Sequence, residues 1–200
     1  PGGTVVAATS EENCVVTNGM SQYSRNERNA NSAVVVGITP DDFPGGPLAG
    51  LDFQRELESN AFVMGGKNYN APGQLVGDFL ADKASSKFGS VSPSYTPGVE
   101  LTNLKDALPA FAIDALREAI PEFDKKIKGY AMHDAILTGV ESRTSSPICI
   151  KRDKTLQSIN TPGLYPAGEG AGYAGGILSA AVDGIKVAEA VAKNMLASEL

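Results

Sequence analysis

The residues best suited to chemistry lie in a glycine-rich segment near the end of the sequence. Gly170, Gly172 and Gly175 have the spacing GxGxxG, and apolar residues recur at intervals of three and four from Ile177 to Leu196, which predicts a helix. Where a strand leads through glycines into a helix, free backbone N–H groups converge and the helix dipole adds partial positive charge. Glycine also lets the backbone approach a ligand closely, because it has no Cβ. The segment is therefore a candidate site for a pyrophosphate.

The spacing alone would suit the first fingerprint of a Rossmann domain, but the surrounding sequence does not. That fingerprint needs an acidic residue at the end of the strand that follows the helix. Glu189 would have to be this acid, and it lies inside the predicted helix. The sequence instead predicts a strand at Leu164–Ala167, a glycine turn that contains Glu169, and a closing helix.

Other catalytic constellations have little support. His133 is the single histidine, so a metal site or a Ser-His-Asp triad would depend on one imidazole. His133 could serve as a general base, although a lone histidine is more often structural. No serine lies in a GxSxG elbow and no CxxC occurs. Cys14 and Cys149 each lie in an apolar run, which predicts two buried thiols in a cytosolic protein rather than a disulfide.

Composition narrows the class of protein further. A net charge of −6 and a pI near 4.8 argue against nucleic acid and, more weakly, against an anionic membrane surface. The sequence contains no run of about twenty apolar residues, which a membrane-spanning helix would need. No signal peptide opens the sequence. We therefore expect a cytoplasmic protein. The opening Pro-Gly-Gly-Thr, without Met, suggests a piece of a longer polypeptide.

The rest of the sequence predicts an α+β fold with short strands and several helices. Three β-branched runs predict a hairpin followed by a buried strand: Thr4–Ala8, Cys14–Thr17 and Ala33–Ile38. Three helical stripes are expected at Leu48–Phe62, from Pro72 onward, and after Pro109, with a break at Pro121, which could equally open a short following helix. Residues 84–103, rich in Ser, Pro and Gly, predict a long loop.

Two polar stretches lie between the expected elements. Asn18–Ser32 has almost no aliphatic side chains, and such a long irregular stretch is either a mobile surface loop or a functional one. In the functional case it forms a polar lip in which Arg25 or Arg28 meets an anion. A second polar stretch, Glu141–Pro147, precedes the strand-like Ile148–Ile150 and the hairpin-like turn that follows it.

The glycine segment resembles the last FAD-binding segment of two-dinucleotide-domain flavoproteins, in which an apolar strand ends in a Gly-Asp or Gly-Glu pair. Over most of its length the chain resembles the uncharacterised bacterial FAD-dependent dehydrogenases. Besides the glycine segment, the resemblance rests on four stretches: Pro1–Gly3, Asn18–Ser21, Asn29–Ala33 and Gly139–Pro147.

The resemblance implies a set of flavin contacts. Glu169 would accept a hydrogen bond from a ribityl hydroxyl, and the closing helix would direct its N-terminus at the pyrophosphate and at the pyrimidine edge of the flavin. The expected cofactor-binding residues are Gly168, Glu169, Gly170, Gly172, Tyr173, Gly175, Gly176 and Ile177. Arg143, Thr144, Ser146 and Arg25 are candidates for contact with substrate or flavin, and a solvated loop is the alternative for the first three. No metal is expected, and no general base can be assigned.

The resemblance also implies how the parts of the chain share substrate and cofactor binding. Residues 1–150 would form a substrate-type or insert-type domain, and residues 151–200 the C-terminal FAD-binding segment. The family holds the adenosine half of FAD in an N-terminal FAD-binding domain of the same polypeptide, which this sequence lacks. The function implied is that of an FAD-dependent oxidoreductase (dehydrogenase) acting on a small-molecule substrate, with the 200 residues inactive and without FAD on their own. Two alternatives remain: a non-enzymatic binding or oligomerisation module, and a hydrolase or transferase that uses the glycine turn as an anion hole.

Overall fold

The computed structural model describes residues 2–198 and shows a mixed α+β fold. Within that range there are five short strands, β1 Gly3–Ala7, β2 Thr17–Ser21, β3 Ala71–Leu75, β4 Val99–Leu101 and β5 Ile136–Thr138. The α-helices of the same range are α1 Ala49–Met64, α2 Val76–Leu80, α3 Ala110–Lys126 and α4 Ile177–Ser198, and short 3-10 turns precede α1 at Pro40–Asp42 and α3 at Leu104–Asp106. The predicted α+β class is confirmed.

The chain divides into two compact units. Unit 1 consists of Pro1–Asp42 together with Phe53–Ser142, and unit 2 of Phe43–Asp52 together with Arg143–Leu200. Unit 1 contains the two small sheets and helices α2 and α3, whereas unit 2 contains α4.

The first sheet of unit 1 is the predicted hairpin. Strands β1 and β2 pair antiparallel, from Gly3 opposite Ser21 to Ala7 opposite Thr17. The second strand begins later than the expected Cys14–Thr17. The residues just before Thr17 belong to the core instead of the strand. Val15 is fully buried and donates its N–H to the carbonyl oxygen of Glu58 at 3.0 Å.

The second sheet has the strand order β4-β3-β5. Strand β3 is buried along its whole length and lies parallel to β4 and antiparallel to β5. Pro72 therefore lies inside a strand, and the prediction that it starts a helix is wrong. The ladder tolerates this proline because its carbonyl oxygen accepts the N–H of Gly139 at 2.9 Å, and this pairing requires no N–H from Pro72. The helix begins later, at Val76.

Helix α3 supplies one side of the core of unit 1. Ile113 and Ile120 are almost fully buried and belong to the same apolar cluster as Phe79 and Phe62. The predicted break at Pro121 is wrong, since α3 continues to Lys126 with the proline inside it. The buried residues before Pro121 hold the helix against the core, and this packing compensates for one missing backbone hydrogen bond.

Three further expectations about individual segments are corrected. Ala33–Ile38 forms no strand, because no strand in residues 2–198 pairs with this segment. Val35 in its middle is 58% exposed. Residues 84–103 are not entirely a loop, since they contain β4 and the buried Ser85. Cys14 is buried as predicted, but Cys149 is exposed, and neither forms a disulfide within residues 2–198. No helix in residues 2–198 is long and apolar enough to cross a membrane.

Candidate functional site

The glycine turn, defined here as residues 168–176, joins an extended segment to helix α4 in unit 2. The segment Leu164–Ala167 does not form the predicted strand. Leu164 makes one strand-like contact, in which its carbonyl oxygen accepts the N–H of Ser158 at 2.8 Å. Pro166 has no N–H to continue such a ladder. Ile148–Ile150 likewise forms no strand, and the pairing closest to it is an isolated bridge between Arg152 and Ser158.

Two of the glycines are required by the fold of the turn itself. Gly168 and Gly172 have φ angles of +70° and +82°, a region that residues with a Cβ rarely adopt. The turn is closed by the N–H of Gly172, which donates to Glu169 O at 2.8 Å, and by the N–H of Tyr173, which donates to Gly168 O at 3.0 Å. A Cβ on Gly172 would also collide with the carbonyl oxygen of Ile148.

Gly170 and Gly175 are different. Neither has φ in the left-handed region, and apart from its own and the two adjacent residues no atom of the described chain lies within 4 Å of where the Cβ would be. Gly176 is almost as open, with only Ser179 Oγ at 3.7 Å from its hypothetical Cβ. Nothing within the described residues therefore requires glycine at these three positions, and the open space beside the backbone fits a ligand that approaches it closely.

The polar groups of the turn are also available to a ligand. Glu169 is half-buried, and its carboxylate makes no hydrogen bond or ion pair within residues 2–198. The first hydrogen bond of α4 runs from the N–H of Ala180 to Gly176 O at 2.9 Å, so the N–H groups of residues 177–179 have no partner inside the helix. Ile177, at the start of the helix, is 91% exposed. A carboxylate, unpartnered helix N–H groups and open glycines are together able to contact a polar or anionic ligand.

Tyr173 is occupied within the protein. Its hydroxyl accepts the N–H of Arg152 at 3.1 Å and donates to Ile150 O at 3.1 Å. Its ring lies below the Arg152 guanidinium, with the central carbon 3.6 Å from the ring centroid. The side chain of Tyr173 thus fixes the segment 150–152 beside the turn.

An ion pair that the sequence did not predict holds the turn from behind. The Arg152 Nη1 and Nη2 atoms donate to Asp183 Oδ2 and Oδ1 at 2.9 and 2.6 Å. Arg152 also donates to Pro166 O at 2.8 Å, and Asp183 Oδ2 accepts the N–H of Gly168 at 2.8 Å. Both side chains are nearly buried, with 10% and 11% of their area exposed. The one signal in the sequence is that Asp183 is the first charged residue of helix α4 and follows an almost entirely apolar first turn and a half.

The electrostatics of this pair follow from its hydrogen bonds. The Arg152 guanidinium, followed by the N–H of Gly168, lowers the pKa of Asp183 to about 2. Asp183 in turn raises the pKa of Arg152. Both residues are therefore ionised at physiological pH, and the net charge of the pair is zero.

The polar stretch before the turn contributes one close contact. Ser146 Oγ lies 3.1 Å from Gly170 O and 3.0 Å from Ile148 O, and it accepts the N–H of Ile148. The structure thus places Ser146 beside the glycine turn. Arg143 and Thr144 are exposed residues of unit 2.

The remaining candidates belong to unit 1. Arg25 is exposed and has a φ of +49°. Arg28 Nη2 donates to Ser90 O at 3.1 Å, and Asn29 Nδ2 donates to Ser92 O at 2.8 Å, so this polar stretch is fixed against unit 1 at these residues. The ring of His133 fills the space where Gly77 has no side chain, and its carbonyl oxygen accepts the N–H of Gly77, which is a structural role. Within residues 2–198 no cluster of side chains could hold a metal ion.

Comparison with known proteins assigns the chain to a family. Residues 1–144 match the family model "FAD-dependent protein, C-terminal domain-like". The chain is also 62% identical over 190 residues to an uncharacterized protein of Clostridium beijerinckii, and the match covers 94% of this chain and 36% of that protein. The chain thus spans about a third of the length of this relative, and the glycine turn lies beyond the residues that the family model matches. Because the family model covers most of its length, the chain belongs to the family of FAD-dependent proteins with this C-terminal-like domain.

Proposed function

We propose that the chain is the substrate-side part of an FAD-dependent oxidoreductase and that its glycine turn forms one wall of the flavin site. When FAD is bound, the cofactor supplies the redox chemistry. The chain's own residues would bind and orient it: the Glu169 carboxylate by accepting a hydrogen bond from a ribityl hydroxyl, and the N–H groups of residues 177–179 by facing the pyrophosphate or the pyrimidine edge.

The observation that carries this proposal is the open backbone at Gly170 and Gly175. Glycine is costly in an ordered chain, because it loses more conformational freedom on folding than any other residue. At Gly172 the fold explains the glycine, but at Gly170 and Gly175 neither φ nor packing does. A flavin nucleotide lying against the backbone accounts for both, and family membership supports this choice of ligand.

The proposal requires a partner for the rest of the cofactor. We infer that the adenosine half binds to an N-terminal FAD-binding domain of the same polypeptide, since the relative from Clostridium beijerinckii is almost three times as long as the matched region. The exposed apolar face of α4 is a suitable surface for that domain. It comprises Ile177, Leu178, Val182 and Ile185, each more than half exposed.

The polar residues shortly before the turn are the candidates for the substrate side of the site. Arg143 and Thr144 are candidate contacts for a small-molecule substrate or for the flavin, because they are exposed and lie within three residues of Ser146, which is beside the turn. The lack of a disulfide at Cys14 and Cys149 suits a cytoplasmic location.

A non-enzymatic oligomerisation module is the second candidate, and the exposed apolar face of α4 favours it. In that case the glycine turn serves only to connect the helix. The two candidates differ in one simple property of the full-length protein: the oxidoreductase is purified yellow, with bound flavin, and the module is colourless.

Substitution of Glu169 tests the flavin site directly. Glu169→Ala in the full-length protein removes a charge-assisted hydrogen bond worth roughly 1.5–3 kcal/mol, so FAD affinity should fall about tenfold to a hundredfold. Glu189→Ala is the matched control, because Glu189 is an exposed acid on α4 outside the turn. Titration with FAD followed by flavin fluorescence gives both dissociation constants. An unchanged affinity in Glu169→Ala would remove Glu169 from the site.

A further inference from the structure

We propose that the Arg152–Asp183 pair is a positioning device for the flavin: Asp183 fixes the start of the glycine turn, and Arg152 cancels the charge that Asp183 would otherwise present to an anionic cofactor. This inference rests on the proposed function and adds two positioning residues to it. Both residues, and the turn that they hold, belong to unit 2.

The pair holds the turn at two successive points of the backbone. Arg152 donates to the carbonyl oxygen of Pro166, and Asp183 accepts the N–H of Gly168, at 2.8 Å each. Ala167 is thereby fixed between them. Arg152 is itself fixed by the Tyr173 ring below it. The Gly168 N–H is consumed in this way, whereas the N–H groups of residues 177–179 stay available at the other end of the turn.

The charge of Asp183 explains why an arginine is needed. Asp183 lies six residues into α4, about 9 Å along the axis from Ile177. A lone carboxylate at that distance would oppose the positive end of the helix dipole and repel the two phosphates of a dinucleotide. The bidentate arginine cancels this charge while leaving Asp183 ionised as an acceptor for Gly168.

A purely structural pair and a positioning pair give different results when the two partners are replaced separately. Asp183→Asn leaves Arg152 with an uncompensated positive charge, and Arg152→Met leaves Asp183 with an uncompensated negative charge. A flavin gains negative charge when it is reduced at pH 8, so positive charge nearby raises its midpoint potential and negative charge lowers it. The two variants should therefore shift the potential in opposite directions. Loss of packing alone would not shift the midpoint potential in opposite directions in the two variants.

The chain offers a matched control in unit 1. Arg117 Nη2 donates to Asp82 Oδ1 at 2.6 Å, its Nε donates to Phe79 O at 3.0 Å, and its guanidinium lies over the Phe79 ring at 5.2 Å. This group combines the same three interactions with a carboxylate, a carbonyl oxygen and an aromatic ring. It belongs to unit 1, whereas the glycine turn belongs to unit 2.

The experiment uses full-length protein and the variants Asp183→Asn, Asp183→Ala, Arg152→Met and Asp82→Asn. FAD dissociation constants come from flavin fluorescence, and midpoint potentials from spectroelectrochemical titration at pH 8. We expect about tenfold weaker FAD binding in Asp183→Ala and Arg152→Met, and a smaller loss in Asp183→Asn, because Asn keeps an oxygen that accepts the Gly168 N–H. Asp82→Asn should stay within twofold of the wild type. The potential should rise in Asp183→Asn and fall in Arg152→Met.

The outcomes separate this inference from the proposed function. If wild-type protein binds FAD but Asp183→Ala binds it within twofold of the wild type, or the two potentials shift in the same direction, the positioning role is overturned and the flavin site remains. If wild-type protein binds no FAD, both are overturned. If Arg152→Met does not fold, the two Asp183 variants decide: Asp183→Ala must weaken binding and Asp183→Asn must raise the potential, and failure of either overturns the positioning role.

Discussion

A Cβ on Gly172 would collide with the carbonyl oxygen of Ile148, and the φ angle of Gly172, +82°, already excludes most side chains. Two independent constraints thus require glycine at this position. At Gly170, two residues earlier, neither constraint applies, since its φ lies outside the left-handed region and the space beside it is open. The GxGxxG spacing therefore combines glycines with different physical roles.

Replacement by alanine should separate these roles by stability. Gly172→Ala in the 200-residue chain should lower the free energy of unfolding by about 1–3 kcal/mol, the usual cost of forcing a side chain into this backbone region, or more where Ile148 cannot move. Gly170→Ala should change it little. Urea denaturation of both variants and the wild type provides the comparison. Equal losses in the two variants would mean that the turn has a different backbone from the one described.

Local signals predicted a large part of the fold. The apolar periodicity of α1, α3 and α4 is visible without any tertiary information, and the β-branched runs predict a hairpin that begins with β1, although its second strand is Thr17–Ser21 and not Cys14–Thr17. The segment Ala33–Ile38 shows the limit of such signals. Its β-branched residues favour a strand, but β propensity mainly reflects packing against neighbouring strands, and no strand in residues 2–198 pairs with it.

The site was predicted only in part. Glycine spacing indicated the turn, and the polar stretch indicated Ser146, which does lie beside Gly170. The Arg152–Asp183 pair could not be predicted, because its two residues are 31 positions apart and meet only when the segment before the turn packs along α4. Arg152 lies in a run of charged residues that is typical of an exposed turn, and nothing local distinguishes it from Lys151 or Lys154.

Gly175 should be needed for the flavin and not for the fold. Gly175→Val places a branched side chain where the described chain leaves open space, so the full-length variant should be folded and soluble but colourless. Gly37→Val is the matched control, because Gly37 also has no atom within 4 Å of its hypothetical Cβ and lies in unit 1. Circular dichroism and the ratio of flavin to protein absorbance measure the two properties. Unfolding of Gly175→Val, with flavin retained in the folded fraction, would favour the oligomerisation module.

Asp183 should make the stability of the chain depend on acid. Its pKa is about 2 in the folded protein, below its ordinary value of 3.8, so folding favours the ionised form. This stabilisation is complete above about pH 5 and is lost as the pH falls toward 2. Wild type should therefore be more stable than Asp183→Asn at pH 5, and the difference should shrink at pH 4, 3 and 2.5.

The difference in unfolding free energy between wild type and Asp183→Asn excludes the effect of the other carboxylates. Asp78, Asp82, Asp134 and Asp153 also have lowered pKa values, mainly through hydrogen bonds, but they are present in both proteins. Their contributions cancel in the difference. Urea denaturation at each pH measures it. A difference that stays constant from pH 5 to 2.5 would show that Asp183 is not held ionised by Arg152 and Gly168.

The 200-residue chain alone should fold but bind FAD weakly. The buried cluster around Phe79 and Ile120 gives unit 1 a core of its own. A dinucleotide, however, must offset roughly 4–15 kcal/mol of lost freedom on binding, and it does so through several subsites at once. The turn offers the Glu169 carboxylate and one helix N-terminus, whose dipole contributes only about 0.3–1 kcal/mol.

These contributions are too small for micromolar affinity, which needs about −8 kcal/mol. Titration of FAD into the purified chain should therefore give a dissociation constant well above 1 μM, whereas full-length protein under the same conditions should retain its flavin. The apolar face of α4 should at the same time promote self-association of the chain, which sedimentation at two concentrations detects. Binding of FAD to the chain tighter than about 1 μM would place the principal cofactor site within these 200 residues, and the proposed division between this chain and an N-terminal FAD-binding domain would then be wrong.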